Sequence, residues 1–256
     1  MPIHYMPVHN LRIEYRAVMN HHAFHANNGD SPQLRTGINW IAVLCLSLFI
    51  APPSTHAVEF DPFYTSGLVL QAGATNPIRG SGTPRETITV TFADQRQTCK
   101  VNSAGTWAAK LDPLPASFTP TTITATGSTS GEATCEDVLV GDVWLLAGQS
   151  NLSFPLRNAV GGNDAAEDAP GYPALRLLLF EPAVSMSAKP WSEATSPTSF
   201  FKPARWHRAT KDASEAFSAV GFFFGRYLQY TNNVPVGLVQ VAVGGTPIEA
   251  WLPRFD

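Results

Sequence analysis

Val138-Leu139-Val140-Gly141-Asp142-Val143-Trp144-Leu145-Leu146-Ala147-Gly148-Gln149-Ser150-Asn151 is the stretch on which the reading of this chain turns. Nine residues run almost without polar interruption, as expected of a parallel strand buried on both faces. A turn of small residues then presents one serine. A hydroxyl raised at the carboxyl end of such a strand is a position from which nucleophilic catalysis is run. It is inert without a base. Of seven histidines (His4, His9, His21, His22, His25, His56 and His207), one follows Ser150.

Downstream, the pattern continues in the same grammar. Leu175–Phe180 predicts a second strand, and a loop with Gly, Asp and Pro from about Arg157 to Pro173 separates the two. Pro190 to Thr210 reads as irregular. Asp212 or Ser214 can cap a helix running from Glu215 to Tyr230, with Phe217, Val220, Phe224 and Leu228 on one stripe at spacings of three and four. Asn232-Asn233 ends it. Pro235–Val243 predicts a strand, Gly244-Gly245-Thr246 a turn, and Pro247–Trp251 a short helix. Strand, helix, strand, glycine turn, helix is the order of a three-layer α/β fold with a parallel sheet, here incomplete at Asp256.

Upstream, from Val58 to about Cys135, the signals change to those of a small antiparallel β-sandwich or jelly roll. Leu68–Gln71, Thr87–Phe92 and Thr121–Thr126 have strand composition, and Gly80–Pro84 is a turn cluster. Cys99–Asn102 leads into a hairpin turn at Ser103–Thr106, with Trp107–Leu111 returning. Short strands with turns every eight to twelve residues have the spacing of a sandwich. The organisation is therefore three parts: 1–57, 58–137 and 138–256.

The first part holds Trp40–Ala51, twelve apolar residues after Arg35 and before Pro52-Pro53. That is too short to span a bilayer, and it fits the apolar region of a signal peptide with Thr55-His56-Ala57 as its cleavage site. The alternatives are an uncleaved anchor or a buried segment. Met1 to Thr36 carries five histidines and no apolar period, and reads as disordered or as an over-extended start, Met19 being the more ordinary one. The His21-His22 pair lacks partners at ligand spacing, so no metal site is expected.

With 44% hydrophobic and 14% charged residues and a formal charge of −3, the 256-residue chain can pack a core. It offers no field to attract nucleic acid or an acidic membrane. Cys45 would leave with the leader. Cys99 and Cys135 remain, either paired in an oxidising compartment or each buried as a free thiol.

Three motifs, Gly141–Asn151, Phe217–Arg226 and Gly244–Trp251, in this order and spacing and behind a β module, closely resemble the sialate O-acetylesterases. These are SGNH-type carbohydrate esterases, and the resemblance runs from about Phe60 onward. It implies an esterase that frees O-acetyl groups from sialic acids, without metal or organic cofactor, in a secreted or lysosomal setting. Ser150 falls on the family's nucleophile. The oxyanion donors would be its own N–H and that of Gly244 or Gly245, with Gln149, Asn151, Glu249 and Trp251 at the turn or the pocket wall. Asn151-Leu152-Ser153 also matches a glycosylation acceptor, expected to stay unmodified because a glycan there would block the pocket.

The departure is that the family's Asp-x-x-His segment does not occur after Ser150. His207, between basic neighbours Arg205 and Arg208, reads as a surface or structural histidine and not as the base. Two other readings stand beside the first: a carbohydrate-binding protein without catalysis, and an acetyl esterase acting on plant polysaccharide.

Overall fold

The computed structural model describes residues 56–183 and 201–251, apart from the side chains of Glu249 and Ala250. The apolar run Trp40–Ala51, expected to belong to a signal peptide, and everything before it lie outside these residues. All those described belong to one compact unit.

The first half is built from alternation. In β4 (Thr87–Phe92) the residues Ile88, Val90 and Phe92 point inward, and in β6 (Thr106–Leu111) Trp107, Ala109 and Leu111 do. Both sets share one apolar cluster with Ile78, Ile123 and Ala125, so two sheets close over a single core. One sheet has the order β1 (Glu59–Phe60), β3 (Asn76–Ser81), β6. The other runs β5 (Gln95–Lys100), β4, β7 (Ser117–Gly127), β8 (Gly131–Gly148), with β2 (Val69–Gln71) parallel on β8.

Two sequence expectations change here. β5 pairs with β4, and β6 pairs with β3, so Ser103–Thr106 is no hairpin but carries the chain from one sheet to the other. Asn102 holds that turn, its side chain accepting from the N–H groups of Ala104 and Thr106. Gly80 and Ser81, expected in a turn, are instead the end of β3.

β8 is the spine of the molecule. Its first half pairs with β7, and from Asp142 to Gly148 it pairs in parallel with β11 (Val236–Ala242). A boundary drawn between residues 137 and 138 thus falls inside a continuous strand. From β8 the same eight-stranded sheet continues through β11 and β9 (Leu175–Phe180) to β10 (Trp206–Arg208), with β10 antiparallel to β9 and with β9, β11 and β8 parallel. β10 lies in the stretch expected to be irregular.

The two faces of this sheet separate by residue parity. Trp144, Leu146, Leu175, Leu177, Val236 and Leu238 pack with the helices. Val143, Leu145, Leu178, Phe180, Val239 and Val241 belong to the cluster of the β module. The helices are α1 (Ser150–Ser153), α2 (Gly162–Glu167), α3 (Lys211–Ala216) and α4 (Ala219–Asn232). α2 and two 3-10 turns occupy what the sequence suggested was plain loop.

The single helix expected over Glu215–Tyr230 is two. Thr210 caps α3 and Ser218 caps α4, each hydroxyl accepting a first-turn N–H. Of the predicted stripe, Phe217, Phe224 and Leu228 do pack in the core shared with the sheet, but Val220 does not. Val220 is 59% exposed, while Ala219, Gly221, Phe222 and Gly225 face the sheet. The glycines set that face by letting the helix come close. A Cβ on Gly221 would sit 2.3 Å from Leu146 Cδ1, and one on Gly225 2.6 Å from Leu238 Cδ1.

A charge cluster around the buried Arg176 links the two halves. Asp137, at φ 55 within β8, accepts from Arg176 Nη2 at 3.0 Å and Arg208 Nε at 2.9 Å. Arg176 and Arg208 are cross-strand neighbours on β9 and β10. Trp206 ties β10 to the β module, its indole N–H donating to the Phe63 carbonyl and its backbone N–H to the Thr65 hydroxyl.

Candidate active site at the tip of the central strand

β8 ends at Gly148 and the chain turns into α1 at once. The Gln149 carbonyl accepts the N–H groups of Leu152 and Ser153, at 2.9 and 3.0 Å, which winds the turn and places Ser150 at its start. Ser150, Gln149 and Asn151 are all exposed. The Gln149 side chain folds back on its neighbour, with Oε1 3.1 Å from the Ser150 nitrogen and 2.7 Å from Ser150 Oγ. The Ser153 hydroxyl donates to the Ser150 carbonyl at 3.2 Å.

The adjacent strand brings the glycine turn to the same place. Val243 N–H donates to the Gly148 carbonyl at 2.9 Å, tying the tips of β11 and β8 together. The chain then reverses through Gly244 and Gly245, with Thr246 N–H and hydroxyl both directed to the Val243 carbonyl. Gly245 has φ +81, a conformation this turn assigns to glycine, and open space beside it. Gly244 faces the serine: a Cβ built on it would lie 3.8 Å from Ser150 Cβ. Trp251 braces the turn, its indole N–H donating to the Thr246 hydroxyl at 2.8 Å. The Glu249 side chain lies outside the described residues.

Further support comes from residues the sequence reading did not single out. Gln240 is the one polar side chain in the apolar run Val236–Ala242, and that anomaly was a legible signal. Its Oε1 accepts the buried Ser218 N–H at 2.7 Å. The backbone of Phe217–Ala219 in turn bonds to Phe154 and Leu156, just beyond α1. A cavity of about 280 Å³ lies alongside, between Ser153, Leu179, Phe180, Ala216, Gln240 and Ala242.

The two histidines among the described residues stand elsewhere. His56 exchanges backbone hydrogen bonds with the Thr83 hydroxyl in the β module. His207 pairs with Leu177, Leu177 with Leu238, and Leu238 with Trp144. Three strand spacings, about 14 Å, therefore separate His207 from β8, level with a residue well before the strand tip. It rims a different cavity, of about 580 Å³, with Arg205 and Asp212. Among the described residues there is no group of three or more His, Cys, Asp or Glu that could hold a metal. None of their helices is long and apolar enough to cross a membrane.

The class that this fold and site resemble is that of the carbohydrate esterases. Residues 140–255, from β8 through the glycine turn, match the family described as carbohydrate esterase, sialic acid-specific acetylesterase. Over these residues the chain is similar to the sialate O-acetylesterase family. It is similar to the sialate O-acetylesterase of Pongo abelii, 32% identical over 82% of this chain and 41% of the relative. The Homo sapiens protein of the same name is 31% identical, again over 82% of this chain and 41% of the relative. The fold resembles the crystal structure of a carbohydrate acetylesterase from Xanthomonas citri, with TM-score 0.66 and 33% identity over 77% of this chain and 43% of that one. The chain thus spans about two fifths of the length of these relatives.

Proposed function

We propose that this chain carries the nucleophile of an esterase that removes O-acetyl groups from sugars, and that Ser150 is that nucleophile. The observation that carries the reading is the exposed Ser150 hydroxyl at the tip of β8, faced by Gly244 from the tip of β11. Ser150 Oγ would attack the acetyl carbonyl carbon, and the oxygen would take up negative charge against the Ser150 N–H and a glycine-turn N–H. Collapse breaks the bond to the sugar oxygen, which leaves as a hydroxyl. Water then attacks the acetyl-serine and releases acetate. Gly244 is the favoured second donor, because it and not Gly245 borders the serine.

The hydroxyl proton needs an acceptor, and His207 is on the wrong edge of the sheet to be one. The residues described here therefore supply a nucleophile and donors but not the base, and slow turnover is expected of them. This favours, as second reading, a glycan-binding role without hydrolysis. Sialic acids are the proposed substrates on the strength of the relatives' names, with acetylated plant polysaccharide as the competitor. The proposal carries with it the three-layer SGNH arrangement, of which α2–α4 form one outer layer. It also places the chain in the secretory pathway, from the leader-like run Trp40–Ala51.

Acetate release from O-acetylated sialic acids, acetylated xylan and an aryl acetate tests all three readings. Release from sialic acids that Ser150→Ala abolishes supports the proposal. Binding of acetylated sialic acids, with no release from any substrate at any enzyme concentration, leaves the second reading.

A further inference from the structure

Gln149 does more than join β8 to α1. Its side chain carries one acceptor oxygen and two donor hydrogens, and a backbone N–H has to face an acceptor. The oxygen is therefore the atom turned toward Ser150, at 3.1 Å from the nitrogen and 2.7 Å from Oγ. One oxygen thus takes both protons that ester cleavage needs free. The first is the N–H that would meet the oxyanion, and the second is the O–H that must leave before attack. A carboxamide C=O in that position has the shape and polarity of the acyl C=O of an ester.

We infer that the Gln149 carboxamide is a latch, holding the place of the substrate's acyl oxygen against Ser150 until an ester displaces it. The inference rests on Ser150 being the nucleophile. The latch is releasable, because Gln149 is exposed and water can take over its hydrogen bonds. Opening it costs one or two solvent-accessible hydrogen bonds, about two- to tenfold in rate. The chain's other contacts do not depend on that side chain: the Gln149 backbone carbonyl, not the carboxamide, closes α1.

The test uses the full chain, Gln149→Met (similar length, no acceptor) and Ser150→Ala, with an alkyl fluorophosphonate as probe. The probe's P=O oxygen needs the same N–H. As the Oγ–P bond forms, the P–F bond breaks, fluoride leaves and the hydroxyl proton passes to solvent. Gln149→Met should label about two- to tenfold faster than the parent chain at an unchanged melting temperature. Equal or slower labelling overturns the latch. Independently of chemistry, the Ser150 amide should exchange faster with deuterium in Gln149→Met, and unchanged exchange overturns the contact itself. Labelling that persists in Ser150→Ala defeats the nucleophile reading instead. No labelling of any of the three defeats that reading and the latch with it.

Discussion

Gly244 and Ser150 face each other across the tips of two parallel strands, so close that a methyl on the glycine would lie 3.8 Å from the serine Cβ. Gly245, next in the chain, has nothing within 4 Å of its own missing Cβ but sits at φ +81. The two glycines are needed for different reasons, and substitution should separate them. Gly245→Ala forces a left-handed alanine and should cost about 1–2 kcal/mol of stability. Gly244→Ala makes only an ordinary contact and should leave stability within about 0.5 kcal/mol. The added methyl borders the place the acyl group would occupy, so Gly244→Ala should slow fluorophosphonate labelling of Ser150, and Gly245→Ala should slow it less. Urea titration and labelling rates, run in parallel, check both halves.

Asp137 is the second position with a sharp expectation. Arg176 is 2% exposed, and burial pulls its pKa below the usual value while Asp137 acts to raise it. Asp137→Asn keeps the shape and tolerates the left-handed backbone but leaves Arg176 buried without its counter-charge. Removing one partner of a buried pair costs about 3–5 kcal/mol. The low end is expected here, because Asp137 is itself partly exposed. Arg208 is well exposed, and Arg208→Ala should cost about 1 kcal/mol or less. Equal losses in the two variants, measured by denaturant unfolding, would show that the cluster is not organised around Arg176.

Much of this fold is legible in the residues. Thr87–Phe92 and Leu175–Phe180 form strands with the bounds read from composition, because each is apolar or alternating and flanked by turn residues. The partner of a strand is not written in it. The turn at Ser103–Thr106 looks like a hairpin, yet the strands it joins pair into different sheets, since inward residues on both must reach one core. The helix stripe was right at Phe217, Phe224 and Leu228 but wrong at Val220, for a related reason. A search for large apolar residues overlooks Gly221 and Gly225, where missing side chains let α4 settle on Leu146 and Leu238. At the site, Ser150 and the glycine turn were visible as motifs. The choice of Gly244 over Gly245, and the grip of Gln149 on the serine, depend on where β8 and β11 end relative to each other.

The two cysteines of the β module should never be found joined. Cys99 lies on β5 and Cys135 on β8, with β4 and β7 between them. Three strand spacings give about 14 Å, about twice the Cα separation a disulfide allows. Both are free thiols, and burial raises the pKa of each, Cys135 to about 12. Cys135 should therefore resist alkylation at pH 8 until the chain unfolds. Mass spectrometry of the unfolded, unreduced protein should find both residues modified, and a peptide linking residues 99 and 135 would contradict the sheet order.

Glu86 gives the molecule an acid-sensitive joint. Its carboxylate is buried at the end of the β module, accepting the Thr129 N–H at 2.6 Å, the Ser130 N–H at 2.8 Å and the Thr129 hydroxyl at 3.0 Å. Burial works to raise its pKa, but hydrogen bonds from Ser130 and Thr129 outweigh that and hold it below the ordinary value. With the folded value depressed, the unfolded chain binds the proton first, so this contribution is complete above about pH 5. It fades as pH falls through the unfolded value, near 4.3, toward the folded one. Glu86→Gln cannot titrate, and its stability should fall less steeply between pH 5 and 3 than that of the parent chain. Urea midpoints at half-unit steps in pH measure the two slopes. Identical slopes would mean that Glu86 carries the same proton affinity folded and unfolded, and that the Thr129–Ser130 turn does not hold it as a carboxylate.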